Sequence, residues 1–135
     1  MSTDANRDVV RRFVDQVFVK LNVDAVDELV DDDFVSHNWP SDPDSKTALK
    51  AAAERLGQGL ADITFTIDDL IAEGDRVVAR VTSRARQVGT FMGMPASGRS
   101  YQIGEIHIFR LRDGKIVEHW YEMDAMGLMR QLKGD

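Results

Sequence analysis

The stretch YQIGEIHIFRLRDGKIVEHWYEMDAMGLMRQL, Tyr101 to Leu132, decides the fold. Two runs of β-branched and aromatic residues flank Asp113-Gly114, the dipeptide that favours a two-residue type I′ turn because both central positions need positive φ. Such a turn pairs Arg112 with Lys115, and an unbroken ladder then sets Leu111 against Ile116, Phe109 against Glu118, His107 against Trp120, Glu105 against Glu122 and Ile103 against Asp124. One face of the hairpin is thus expected to carry His107, Trp120, Glu105 and Asp124 among aliphatic side chains. That mixture is costly to bury unless it lines a pocket or is fully paired. The opposite face is expected to carry Ile106, Ile108, Val117, His119 and Tyr121, an apolar surface that predicts a homodimer.

Upstream of the hairpin the apolar period is two. Ile63, Phe65 and Ile67 alternate with Thr64, Thr66 and Asp68, Glu73-Gly74-Asp75 turns the chain, and Val77 to Gln87 forms a second long strand. Its small side, Val77, Ala79, Val81, Ser83, Ala85 and Gln87, leaves room for a cavity, while Arg76, Arg80, Arg84 and Arg86 face outward. Before Ile63 the period is near four: Val9, Val10, Phe13, Val14, Val17, Phe18 and Leu21 mark one helix, a shorter one surrounds Val26, Leu29 and Val30, and a third carries Leu49, Ala52, Ala53, Leu56 and Leu60. Asp31-Asp32-Asp33 is expected in a solvated turn. Helices first and strands afterwards predict a single α+β domain over 1–135, with the helices covering one face of a curved antiparallel sheet.

Composition narrows the function classes. At 135 residues and 43% hydrophobic content the chain has enough for one core, and zero cysteines remove disulfide and thiolate chemistry. A net charge of -6 disfavours nucleic acid, and no apolar run approaches the roughly 20 residues that span a bilayer. The polar start Met1 to Asn6 lacks the order of a signal peptide, which leads to a cytoplasmic expectation. Neither paired histidine spacing nor a phosphate loop occurs, so no metal or other cofactor is expected.

The order of elements, the segment Gly89 to Arg99, and Ile108 to Trp120 followed by Asp124 resemble the SnoaL-like polyketide cyclases, members of the nuclear transport factor 2-like cone fold that ketosteroid isomerase and limonene epoxide hydrolase share. The resemblance spans nearly the whole chain, including Phe34 to His37 and Leu128 to Leu132. It implies a cofactor-free intramolecular aldol condensation that closes a ring of an aromatic polyketide methyl ester, with the acidic residue four positions after the tryptophan, Asp124, as acid/base. An aspartate ahead of Ala125 to Arg130 is equally a good helix N-cap. His107 has two readings, a hydrogen-bonded core histidine or a catalytic residue that orients Asp124 or a substrate carbonyl.

The remaining pocket candidates follow the same scheme. His37, Asn38 and Trp39 are placed at the mouth, where a histidine and an indole suit an aromatic ligand but also suit a packed turn. Gln87 stands where the family often has a histidine and is expected to bond a substrate oxygen. Phe91 and Met92 offer adaptable apolar contact, and Glu105 and Trp120 complete the expected wall. Other readings of the same cone are a binding protein without catalysis, or isomerase or epoxide-hydrolase chemistry.

Overall fold

The computed structural model describes residues 2–37 and 46–134. Helix α1 runs over Thr3–Phe13, starting at Ser2, whose hydroxyl accepts from the Ala5 amide at 3.0 Å. It continues through Val14–Val19 with the wider π-type winding, in which Lys20 N donates to Asp15 O at 3.0 Å, five residues back. Helix α2 is Asp24–Leu29, and strand β1 is Val30–Ser36. Helix α3 follows at Lys46–Gly59, then β2 at Leu60–Glu73, β3 at Arg76–Gln87, β4 at Ser100–Arg112, β5 at Lys115–Met123 and α4 at Ala125–Lys133.

The strands form one five-stranded sheet in the order β1-β5-β4-β3-β2, antiparallel except where β1 runs parallel to β5. The parallel edge strand departs from expectation, because Asp31-Asp32-Asp33 reads as turn. In β1 these acids point outward at the sheet margin and meet cations: Arg112 lies 3.0 Å from both Asp31 and Asp33, and Lys46 lies 3.0 Å from Asp32. Tertiary pairing overrides the local preference of such residues for turns.

The helices cover the face that β3 shows through Val77, Ala79, Val81, Ser83, Ala85 and Gln87, all buried as the alternation predicts. Phe13 of α1 packs edge-on against Phe18 at 5.1 Å between centroids and against Phe109 of β4 at 5.6 Å. This apolar block fills one end of the space between helices and sheet. A smaller group around Leu60, Ala85, Tyr101, Ile103, Leu128 and Leu132 closes the other side.

The β4–β5 hairpin holds the main departure from the expected register. Asp113 and Gly114 have φ of 52° and 78°, as a type I′ turn requires, and Arg112 pairs with Lys115 and Leu111 with Ile116. The next pair, however, is Arg110 with Glu118, so Val117 is an extra residue in β5. A bulge of this kind puts two residues of one strand against one of the other and turns everything beyond it to the opposite face. His119 therefore opposes Phe109, Tyr121 opposes His107, Met123 opposes Glu105, and Trp120 opposes Ile108. The expectation that His107 and Trp120 share a face is overturned. His119 and Tyr121 likewise leave the outer face, His119 buried and Tyr121 half-buried, and Val117, the extra residue itself, is buried.

Candidate functional site

A cavity of about 610 Å³ lies between the sheet and α3. Its apolar wall comes from Phe18, Leu56, Leu60, Ile63, Phe65, Ile103 and Met123, with Phe91, Met92 and Gly93 from the β3–β4 connection. The size and lining suit a ligand of several fused rings. Polar groups gather where β3, β4 and β5 pass behind it: Ser83, Tyr101, Glu105, His107 and Tyr121. Arg55, Gln58 and Thr90 supply polar groups elsewhere along the lining, on residues that are themselves exposed.

Glu105 and His107 lie two apart on β4, so alternation aims both into the cavity. His107 Nε2 is 2.8 Å from Glu105 Oε1, with His107 only 1% and Glu105 7% exposed. On its other edge His107 Nδ1 is 2.9 Å from His119 Nε2, and His119 Nδ1 is 3.2 Å from Ser36 Oγ. Two rings flank the imidazole, Tyr121 stacked at 4.9 Å between centroids and Phe18 tilted at 5.7 Å, while His119 lies edge to edge with it and nearly coplanar. Burial holds the His119 pKa well below the usual histidine range, and the neighbouring His107 and His37 lower it further, so His119 stays neutral. Burial raises the Tyr101 phenol to about 12 against a hydrogen bond from Ser83 that lowers it, and burial raises Tyr121 as well. Both phenols keep their protons at neutral pH; the Tyr121 hydroxyl donates to Met123 Sδ at 2.6 Å, a weak acceptor that a ligand oxygen would have to displace.

Glu105, His107, Phe91 and Met92 are thus brought around one cavity, while other expected site residues are elsewhere. Asp124 is exposed and absent from the cavity lining, and its Oδ1 accepts from the Gly127 amide at 2.9 Å as the N-cap of α4. Its placement at the strand end, one residue past β5, leaves the carboxylate serving the helix instead of the cavity. Gln87 is fully buried but does not line the cavity. Its amide Nε2 donates to Met94 O at 2.9 Å, and its Oε1 accepts from Ser97 N at 3.2 Å and Ser97 Oγ at 2.7 Å, so it braces the connection that carries Phe91 and Met92. Trp120, turned outward by the bulge, is sandwiched between His37, stacked at 5.2 Å, and the Arg76 guanidinium, 4.9 Å from the ring. His37 Nε2 lies 2.8 Å from Glu118 Oε2, outside the cavity. Asn38 and Trp39 lie outside the described residues.

Sequence reasoning missed Tyr121, His119 and Ser36. The apolar pair Ile116-Val117, both buried, is the trace that the bulge leaves in the sequence, since strict alternation would expose one of them. Among the described residues no group of three or more His, Cys, Asp or Glu is placed to hold a metal, and no helix is long and apolar enough to cross a membrane.

A helix-covered five-stranded sheet with a buried acid–base pair at the back of an apolar cavity defines a small ligand-enclosing α+β domain. Residues 8–132 match the sequence profile of the SnoaL-like polyketide cyclases, and the chain belongs to that family. It is 42% identical over 59 residues to aklanonic acid methyl ester cyclase DnrD of Streptomyces peucetius, a stretch covering 44% of this chain and 41% of that one. The match therefore spans less than half of that relative's length. Nogalonic acid methyl ester cyclase of Streptomyces nogalater is 34% identical over 92 residues, 64% of this chain and 67% of the relative. The structure of TsrD from Streptomyces laurentii superposes with a TM-score of 0.89 at 33% identity, covering 98% of this chain and 97% of that one.

Proposed function

We propose that this protein closes a ring of an aromatic polyketide, as its methyl ester, by intramolecular aldol condensation, and that Glu105 is the base. The observation that carries this is the buried Glu105–His107 pair facing an apolar cavity of about 610 Å³. Deprotonating carbon between two carbonyls needs a carboxylate fixed within reach of the C–H, and His107 anchors one oxygen of Glu105 while the other remains for the substrate. The proton moves from carbon to Glu105, the resulting enolate forms the carbon–carbon bond at a carbonyl within the same molecule, and the protonated Glu105 returns the proton to the new alkoxide. No electrons are lost or gained and no co-reactant is consumed. The phenols of Tyr101 and Tyr121 stand on the same wall to stabilise charge on the enolate or alkoxide oxygen. Support for the substrate class comes from the methyl ester cyclases among the relatives.

The exposed Asp124 favours one other reading, a cavity that binds such a ligand without converting it. A panel of aromatic polyketide methyl esters separates the two: ring closure followed by absorbance supports the cyclase, and saturable binding without turnover supports the carrier. The expected homodimer rests on the residues left facing outward, Ile106, Ile108 and Trp120, of which Ile106 is 48% exposed. Light scattering that reports a monomer at micromolar concentration removes it.

A further inference from the structure

The hydrogen-bonded chain behind Glu105 is longer than a base needs. It runs Glu105–His107–His119–Ser36 across three adjacent strands, β4, β5 and β1, and each member is buried. Ser36 and His119 sit opposite each other in the parallel β1–β5 pairing, and the His37 amide donates to His119 O at 2.8 Å, which fixes the backbone beneath the contact. The bulge at Val117 is what turns His119 inward to meet His107.

Proton counting gives the chain a direction. Among the described residues the Ser36 side chain has one hydrogen-bond partner, His119 Nδ1, and a buried hydroxyl with a single partner satisfies its proton by donating to it. His119 Nδ1 is then the acceptor, so the one proton of the neutral ring is on Nε2 and is donated to His107 Nδ1. His107 in turn carries its proton on Nε2 and donates it to Glu105, which accepts as the carboxylate a base requires. Every donor in the chain has its acceptor. The reverse polarity would leave the Ser36 proton without a partner among the described residues.

We propose that Ser36 and His119 are positioning residues that fix the Nε2–H tautomer of His107, so that His107 orients Glu105 and Glu105 alone exchanges protons with the substrate. The assignment of Glu105 as base rests on the cyclase reading above. The groups placed against His119 include His107 and Phe109 from β4, Tyr121 from β5, Ser36 from β1 and His37 just beyond it, and burial among them keeps the ring singly protonated.

The test is ¹⁵N-resolved NMR of the histidine side chains in the whole protein between pH 6.5 and 8, without substrate. Both His107 and His119 are expected as neutral Nε2–H rings in wild type. In Ser36→Ala the His107 signals should move toward a tautomer average, while Ser36→Thr, which keeps the hydroxyl, should restore them. A structural role for Ser36 alone would leave the His107 tautomer unmoved. Wild-type His107 found with its proton on Nδ1, or doubly protonated, overturns the proposal whether or not any variant folds. With a turned-over ester in hand, Ser36→Ala should lower kcat by about tenfold at nearly constant KM, the equivalent of one buried hydrogen bond; unchanged kcat also overturns it. Absence of turnover by wild type defeats the cyclase reading, and the tautomer measurement still decides this one.

Discussion

Replacing Gln87 by leucine separates a bracing role from a substrate contact. The side chain is fully buried and makes three hydrogen bonds, to Met94 O, Ser97 N and Ser97 Oγ. At about 1 kcal/mol each these total about 3 kcal/mol, but Ser97 is exposed and water can replace its share, and the leucine regains some apolar burial. The expected net loss is about 2 kcal/mol, or roughly 5 to 10 °C in Tm for a domain of this size. Because the loss is local, amide exchange at residues 91–98 should rise by more than tenfold while exchange in the β4–β5 ladder follows only global stability. Phe91 and Met92 ride on that connection, so ligand affinity should weaken through a looser wall. Urea or thermal melts combined with hydrogen exchange give the answer. A leucine variant that melts with wild type, exchanges normally at 91–98 and yet binds ligand poorly would refute the bracing role and return Gln87 to direct substrate contact.

Asp124→Ala should cost about 1 kcal/mol by removing the cap of α4, and Asp124→Asn, which keeps a capping oxygen, should cost less; equal stability of all three by denaturant melt would deny the cap. Acid should destabilise the protein through His119. Its folded pKa is depressed, so the unfolded chain binds the extra proton first: the contribution is full above about pH 6.5 and is lost as pH falls below it, with a slope of at most about 1.4 kcal/mol per pH unit for this one group. His119→Gln, which still offers a donor to His107, should flatten that slope in melts between pH 7.5 and 5, and an unchanged slope would assign the loss elsewhere.

The parts of the fold governed by local rules were legible in the sequence. Asp113-Gly114 announced its turn, and the alternation from Val77 to Gln87 gave the inward face of β3, because both depend on residues next to one another. One extra residue at Val117 was enough to defeat the same rule in β5, since side chains alternate and a slip of one reverses every position beyond it. That slip exchanged Trp120 for His119 and Tyr121 in the core, and it is why Glu105 and His107, placed before the turn on β4, line the cavity as expected while Trp120, expected beside them, does not. Asp124 shows a different limit. A cap and a catalytic acid look alike in sequence, and only the path of the chain after β5 separates them.

The central claim, that Glu105 and not Asp124 moves the proton, is tested most directly by comparing ring-closure rates of Glu105→Gln and Asp124→Asn on one polyketide methyl ester under saturating conditions. Glu105→Gln should lose about 10² to 10⁴ in kcat, the usual contribution of a positioned acid–base group, with Asp124→Asn close to wild type. Full activity in Glu105→Gln together with a collapse in Asp124→Asn would contradict the account.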